Sequence, residues 1–407
     1  MSTLINLPGK EDVRQIAGEI AAQTAALKAY FAAAQSGLTF VQTWAEFKHL
    51  CQLGTIKKYF SVGDQLKCQK GGQDLLWDIV HIGENTDGSN YVILQTHYCL
   101  SDTMEFDPRE AIFRASADLP AGTYHFTASL AGVTDTNWTS PDKSGWSKTW
   151  QFTTSKTLPK GGQICFTSPK DYNTDLSTWG ISTYSDPAST TAIEAVALSE
   201  GTGGTDLATL GAVNHAQRIC YGYNRWAQST LRQWLNSDAA AASWFSAQHD
   251  FQRPPHYAST NGFMSDLDTD FKAVVTKSKI ITDINLISDK GGHDTTYDYF
   301  YLPCIKNLNG GDNFKDGPGS AVQDVEDADV WDYYLKYRQD GKTGANTEAD
   351  ANRIKGPASG GTWSWWERSP NPSFAYHVRY VYGDSGICWW FARASVWPGV
   401  APACRIN

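Results

Sequence analysis

The residues most suggestive of chemistry are Gly383 to Gly386, whose order Gly-Asp-Ser-Gly matches the nucleophile segment of trypsin-like serine proteases. A serine nucleophile needs a histidine base and an orienting carboxylate. The Gly-Pro that follows this segment in those proteases is missing here, and so are their histidine and aspartate segments. Gly-Asp-Ser-Gly is also an ordinary turn sequence. The motif therefore predicts a turn, not a protease.

Metal-binding spacings are also missing from the sequence. The 9 histidines include no HxH or HExxH, and the 8 cysteines include no CxxC or CxxH pair, so a zinc site is not expected. The acidic run from Asp324 to Asp332, and the loop from Asp312 to Asp316, could offer oxygen ligands to calcium. Their spacing is not that of an EF-hand, which favours a solvated acidic face. No acid/base pair can be named, and we expect no catalytic activity, cofactor or metal.

The overall composition is that of a globular protein, with 41% hydrophobic and 19% charged residues. The net charge of −9 and the lack of a basic run argue against nucleic acid and anionic membranes as partners. No apolar stretch reaches the roughly 18 residues that a membrane span needs. The N-terminal residues lack the pattern of a signal peptide. Scattered cysteines then predict free, mostly buried thiols in a protein made in the cytoplasm.

Three regions must position any functional residues. The first region, residues 1–37, contains a predicted helix over 11–35, which is rich in strong helix-forming residues. Two heptad positions recur, at Val13, Ile20, Leu27 and Ala34, and at Ile16, Gln23 and Tyr30. This spacing predicts a short coiled coil that forms a homo-oligomer, with a trimer favoured. An amphipathic helix packed on its own domain remains the alternative.

The second region, 38–205, is predicted to be β-rich. Residues 75–82 and 91–98 flank a turn-like stretch and predict a hairpin. Residues 122–130 and 147–155 alternate apolar and polar side chains, as half-buried strands do. The Gly/Thr-rich stretch 199–211 predicts a linker or long loop.

The third region, 206–407, changes character again. A short helix is predicted within 225–236 and a second around 267–275, followed by short strands and long Gly/Asp loops. The expected fold class is therefore α+β, with a compact C-terminal domain.

Four segments of this third region, 221–237, 251–275, 362–386 and 399–407, together resemble one family. They are similar to the variable proteins of diversity-generating retroelements, found in gut bacteria, phages and prophages. The resemblance implies a C-type-lectin-like fold, shared with the formylglycine-generating enzymes. The hairpin within 75–100 is similar to an early part of the same family, so the stretch 105–200 is a candidate insertion.

In such proteins a retroelement randomises adenines near the C-terminus while a fixed frame holds the varied side chains. The resemblance implies a frame of Trp363, Trp365, Trp366, Arg368, Ser369, Pro370, Val378, Arg379 and the closing Gly-Val-Ala-Pro-Ala-Cys. It also implies solvent-facing ligand-binding residues at Phe374, Tyr376, His377, Tyr380, Tyr382, Ile387, Cys388, Trp389, Trp390, Phe391, Arg393, Ser395 and Trp397.

Two observations bear on this set of ligand-binding residues. Tyr, Trp and Arg dominate interface hot spots, which fits a recognition surface; a buried aromatic strand is the alternative. When the adenines of the Asn codon AAC are randomised, its third base stays C, whereas Trp is encoded only by TGG. Trp389, Trp390 and Trp397 therefore need a different template codon or belong to the frame.

The resemblance thus implies a tail receptor-binding protein of a phage or prophage virion. Its expected partners are a bacterial surface protein or glycan and other phage tail proteins. One alternative is an enzyme related to the formylglycine-generating proteins, for which Cys388 and Cys404 are the candidate reactive cysteines. The other alternative is a purely structural tail protein.

Overall fold

The computed structural model describes residues 23–24, 43–101, 104–128, 148–167, 180–189, 191–207, 218, 222–246, 253–285, 289–308, 330–334, 351–371, 376–383, 387–391 and 398–407. Over these residues the chain is β-rich with a few short helices, an α+β composition as expected. No helix in the described ranges is both long and apolar enough to cross a membrane.

The strands are numbered in chain order. They are β1 (Gln65–Lys70), β2 (Gln73–Glu84), β3 (Asn90–Thr96), β4 (Phe113–Arg114), β5 (Gly122–Ala128), β6 (Lys148–Thr154), β7 (Gln163–Thr167), β8 (Gly180–Tyr184), β9 (Ala192–Ala197), β10 (Ser199–Glu200), β11 (Thr205–Asp206), β12 (Val275–Thr276), β13 (Ser278–Asp283), β14 (His293–Asp298), β15 (Phe300–Tyr301), β16 (Trp365–Pro370), β17 (His377–Val381), β18 (Ile387–Phe391) and β19 (Ala403–Ile406). The α-helices are α1 (Trp44–Gln52), α2 (Thr230–Leu235) and α3 (Thr269–Val274), and 3-10 turns lie at Ile56–Lys58, Trp226–Gln228, Pro255–Ala258 and Ala351–Arg353.

The main sheet joins distant parts of the chain, in the order β1-β2-β3-β19-β12, with β15 also paired to β19. The β2–β3 hairpin confirms the hairpin predicted within 75–98. Strand β19 then pairs antiparallel with β3, so that Cys404 lies opposite Leu94. The hairpin and the last strand thus share one sheet and one hydrophobic core.

Short helices pack against this core, and each begins at a side-chain cap. Thr43 caps α1 in a capping box with Glu46. The Ser229 side chain accepts from the Arg232 backbone N–H at the start of α2, and Asp268 caps α3. Helices α2 and α3 confirm the two helices predicted within 225–236 and around 267–275.

A second hydrophobic core forms from residues between 112 and 207, with Tyr376 added from the C-terminal region. Two sheets enclose it, in the orders β10-β6-β5-β11 and β4-β7-β8-β9. The antiparallel pair β5–β6 confirms the two alternating strands predicted from sequence. The stretch 199–211 is not wholly a linker, because it supplies β10 and β11 to the first of these sheets.

The predicted helix over 11–35 and its heptads lie outside the described residues, apart from Gln23 and Thr24, which are helical and exposed. The coiled coil therefore stays a prediction.

Candidate ligand-binding surface

The segment with the predicted ligand-binding residues forms a three-stranded antiparallel sheet, in the order β16-β17-β18. Strands β17 and β18 run in continuous register, with His377 opposite Phe391 and Val381 opposite Ile387. The pairing of β16 with β17 shifts between Trp366 and Pro370, as at a β-bulge. Among the described strands, β17 is central and β18 lies at an edge.

The first strand of this sheet is held by hydrogen bonds from buried side chains. Trp365 Nε1 donates to the Arg353 carbonyl over 2.9 Å, and Trp366 Nε1 donates to the Met104 carbonyl over 3.0 Å. Arg368 Nη1 donates to the Leu302 carbonyl over 2.7 Å. Tryptophan and arginine are tolerated in a core when their polar atoms find partners. Every residue of β16 is buried.

Gly399, at the start of the closing Gly-Val-Ala-Pro-Ala-Cys segment, forms backbone hydrogen bonds with β16 and with the residue before it. The Trp366 N–H donates to the Gly399 carbonyl over 3.0 Å, and the Gly399 N–H donates to the Ser364 carbonyl over 2.6 Å. A Cβ at position 399 would stand 2.8 Å from the Cβ of Cys99, so only glycine fits this close approach.

Burial of the predicted frame is confirmed at most of its positions. Trp363 is the exception, since it is half-buried. The buried frame residues are Trp365, Trp366, Arg368, Ser369, Pro370, Val378, Arg379, Gly399, Val400, Ala401, Pro402, Ala403 and Cys404.

Three of the residues predicted to face solvent are instead buried. Tyr376, His377 and Tyr380 are 2%, 4% and 6% exposed, so the expectation that they project into solvent is wrong. The physical reason is that all five residues of β17 are buried, so that both faces of the strand are covered. Tyr376 packs into the second core, whereas Tyr380 packs into the main core.

The environment of His377 also differs from that of a surface residue. Burial, with a smaller contribution from the nearby Arg379 charge, holds the pKa of His377 well below its usual range. The His377 carbonyl accepts from Asn224 Nδ2 over 2.8 Å and from the Asn371 N–H over 2.9 Å. His377 is therefore a neutral, anchored core residue.

Tyr382 has the exposure predicted for it. Its side chain is 52% exposed at the end of β17. Its ring lies 6.0 Å from the Tyr380 ring in a T-shaped contact, and Tyr380 in turn contacts Trp366 at 6.4 Å. Phe106 lies 6.0 Å from Trp366 and 6.0 Å from Trp226. A continuous chain of aromatic rings thus supports the exposed tyrosine from within the core.

The other predicted ligand-binding residues are described only in part. Strand β18 gives the backbone of Ile387, Cys388, Trp389, Trp390 and Phe391, but their side chains lie outside the description. Phe374, Arg393, Ser395 and Trp397 lie outside the described residues.

Buried thiols with a raised pKa are poor nucleophiles, and Cys404 and Cys99 are of this kind. Cys404 is fully buried, and burial raises its pKa well above the ordinary value. Burial likewise raises the pKa of Cys99 to about 12, although the nearby Lys355 charge opposes this. Ser385 of the Gly-Asp-Ser-Gly turn is not among the described residues.

Acidic residues were the sequence candidates for a metal site. Of the run from Asp324 to Asp332, the structure describes Asp332, whose Oδ2 lies 3.1 Å from His81 Nδ1. Within the described ranges, no three His, Cys, Asp or Glu side chains gather in a way that could hold a metal ion.

Sequence reasoning missed the buried polar residues that position the sheet. Asn224 and Asn285 donate to the Asn371 carbonyl over 3.2 and 2.7 Å, just after β16 ends. Asp298, fully buried, accepts from Arg232 Nε over 2.7 Å and from Trp226 Nε1 over 3.1 Å. The sequence places Trp226 and Arg232 on a predicted helix, but nothing in it shows which distant carboxylate they meet.

Residues 205–407 match a protein family described as a domain of unknown function (DUF6273). No curated protein matches the chain, and no solved structure matches it. The matched residues contain β12 to β19 and therefore the whole β16–β18 sheet.

Proposed function

We propose that this chain is a non-enzymatic binding protein that recognises its ligand with the surface around Tyr382 and β18, here called the recognition surface. Its ligand is a protein or glycan of a bacterial cell surface, and the protein serves as a receptor-binding component of a phage or prophage tail. The observation that carries the binding role is the contrast between a fully buried β16 and a half-exposed tyrosine at the end of the adjacent β17.

This contrast supports binding for a physical reason. Exposing a large ring costs hydrophobic free energy, and a ring held by neighbouring aromatics loses little further entropy when a ligand covers it. Tyrosine also offers an apolar face and a hydroxyl together, which is why it is frequent at binding hot spots. The aromatic chain behind Tyr382 keeps this surface pre-organised.

The finer fold that we propose is a C-type-lectin-like domain formed by β1–β3 together with residues 222–407. The residues between 112 and 207 are then an insertion with its own core. Pairing of β3 with β19 supports this arrangement, since it brings the two ends of the lectin-like part into one sheet. Diversification of the C-terminal segment by a retroelement rests on the sequence resemblance alone. A reverse-transcriptase gene and a near-repeat of codons 374–397 beside this gene would support it.

As part of this proposal, three copies of the chain assemble into a trimer through their N-terminal helices. Light scattering on the full chain and on a chain lacking residues 1–37 tests this point. A threefold drop in mass on removal supports the coiled coil, and an unchanged mass overturns it.

The alternative function, an enzyme with a reactive cysteine, is not favoured for Cys404, because that thiol is buried and its pKa is raised. Cys388 is the remaining candidate. Thiol labelling of the native full chain, compared with Cys388→Ser, tests it directly. A single fast-reacting thiol that disappears in Cys388→Ser would favour the enzyme, whereas slow labelling of both proteins favours the binding protein.

The recognition surface is tested by adsorption of the full chain to a panel of gut bacterial cells. Tyr382→Ala should weaken adsorption to the bound strain at least about fivefold, the effect of losing about 1 kcal/mol at a hot spot. Tyr297→Ala is the matched control, because Tyr297 is 57% exposed but lies on β14 in a different sheet. Equal losses in the two variants, or none in Tyr382→Ala, would place recognition elsewhere.

A further inference from the structure

A second candidate site lies where the main sheet meets the β13–β14 hairpin, and Tyr382 is not part of its lining. It is a pocket of about 170 Å³ lined in part by His81, Tyr91, Lys279, Arg368 and Arg405. A cavity needs only about 10–15 Å³ of such volume to hold one water, so this pocket has room for a ligand of several heavy atoms. This volume restricts any ligand to a small molecule.

The lining has a strong charge bias. Lys279, Arg368 and Arg405 contribute three cationic side chains, and none of the lining residues that the structure describes is Asp or Glu. Among the described residues, Asp332 is an acid close to this lining: it lies beside His81, and its side chain is 45% exposed. The chain as a whole carries a net charge of −9, so a cationic pocket is not a general property of its surface. Clustered cations in a concave site attract anions.

Aromatic rings hold the two guanidinium groups in place. Arg405 lies over the Tyr91 ring at 3.8 Å, and Arg368 lies over the Tyr301 ring at 5.9 Å. Arg405 Nη2 also donates to Asn85 Oδ1 over 2.7 Å. Fixed guanidinium groups bind a carboxylate with little loss of side-chain entropy.

The aromatic rings also offer apolar contact to a ligand body. Tyr91, Tyr301 and Trp331 all line the pocket, and Trp331 is 3% exposed. A bare inorganic anion would use the cationic part of this lining and not its aromatic part. The combination of cations and rings fits a small organic ligand that has both a charged end and a carbon skeleton.

We propose that this pocket binds a small organic carboxylate of about monosaccharide size, held by Lys279 and Arg405 at its charged end and by the aromatic rings along its body. This inference does not depend on the proposed receptor-binding role. The pocket and Tyr382 are probed by different variants, so either proposal can fail alone.

The test is a thermal-melting titration of the full chain with sodium glucuronate, with glucose as the neutral probe of similar size and sodium chloride as the ionic-strength control. Glucuronate should raise the Tm by about 1–3 °C at saturation, because a ligand that binds the folded state stabilises it. Glucose and sodium chloride should each give a smaller shift or none. The proposal would be overturned if glucose or sodium chloride raised the Tm as much as glucuronate does. It would also be overturned if glucuronate gave no shift up to about 10 mM, which is ten times a weak Kd of about 1 mM.

A matched pair of lysines locates the site. Lys279 lines the pocket, whereas Lys277 is also exposed, lies two residues earlier and approaches the Tyr299 ring instead. Lys279→Ala should weaken glucuronate binding roughly three- to tenfold, the loss of one exposed charged hydrogen bond. Lys277→Ala should leave it unchanged. Unchanged binding in Lys279→Ala, or equal losses in both variants, would overturn the assignment.

Discussion

The rings of Tyr380 and Tyr382 meet edge to face at 6.0 Å, although one side chain is 6% exposed and the other 52% exposed. The two residues are separated by one position at the end of β17, where the strand leaves the core. The boundary between the buried core and the exposed surface therefore lies within this pair.

This boundary predicts that two similar substitutions change stability by very different amounts. Tyr380→Ala should lower the free energy of unfolding by about 3–5 kcal/mol, because it leaves a cavity beside Trp366. Tyr382→Ala should change it by no more than about 0.5 kcal/mol, since its side chain is half in solvent. Urea denaturation of both variants checks the contrast. Similar losses would mean that Tyr382 belongs to the core as well.

The buried carboxylate of Asp298 supports α2 and the 3-10 turn before it, and its loss should be severe. It accepts from Arg232, Trp226 and, over 2.7 Å, Thr296 Oγ1. Asp298→Asn should cost about 3–5 kcal/mol of unfolding free energy, because removing one partner leaves the guanidinium uncompensated.

Asp294→Asn is the matched control for Asp298→Asn. Asp294 also pairs with an arginine, Arg225, but its side chain is 18% exposed, against 0% for Asp298. Water can partly replace the lost contact there, so the loss should be smaller. Equal destabilisation of the two variants in the same denaturation experiment would contradict a special role for Asp298.

The pH dependence of stability should show the effect of Asp107. Burial raises its pKa well above the ordinary value, opposed by hydrogen bonds from Thr230, and nearby Glu105 and Glu110 raise it further. The unfolded chain loses this proton near pH 4, but the folded chain retains it to higher pH. Its contribution to stability is therefore full below about pH 4 and is lost as the pH rises through the raised value.

Asp107→Asn removes this titration while keeping a similar shape. The variant should gain stability relative to the natural chain as the pH rises from about 4 to 8. Thermal melting across this range checks the prediction. Parallel curves for the two proteins would show that Asp107 ionises normally in the fold.

His377 should act in the opposite direction. Its pKa is lowered, first by burial and then by Arg379, so the folded chain holds it neutral. Below about pH 6.5 the unfolded chain takes up a proton that the folded chain does not. Stability should therefore fall with decreasing pH, by up to about 1.4 kcal/mol per pH unit from this residue. His377→Gln should remove that part of the slope in denaturation experiments between about pH 7 and 5, and an unchanged slope would contradict it.

The sequence was a good guide where a pattern is local. The hairpin β2–β3, the pair β5–β6 and helices α2 and α3 follow from periodicity within a few turns or strands. The buried frame residues, such as Trp365 and Trp366, were found by family resemblance, because tryptophans at that spacing do not by themselves reveal burial.

The sequence failed where burial depends on distant segments. The family resemblance predicts that Tyr376 is exposed, but the second core, built from residues between 112 and 207, covers it. Asn224 and Asn285 likewise carry no local signal, since their shared acceptor at Asn371 lies far along the chain. Contacts between distant segments determine these positions, and a periodicity analysis cannot detect such contacts.

The pairing of β3 with β19 has a consequence for the order of folding. The hydrogen bond from Gln95 Nε2 to the Ala401 carbonyl closes a loop of 306 residues, and closing long loops is slow. The second core lies inside that loop and needs only contacts between 112 and 207, apart from Tyr376. The two ends of this unit lie close together, because the Glu110 N–H donates to the Arg218 carbonyl over 3.1 Å. If this unit folds first, it shortens the loop that the β3–β19 pairing must close and so speeds formation of the main sheet.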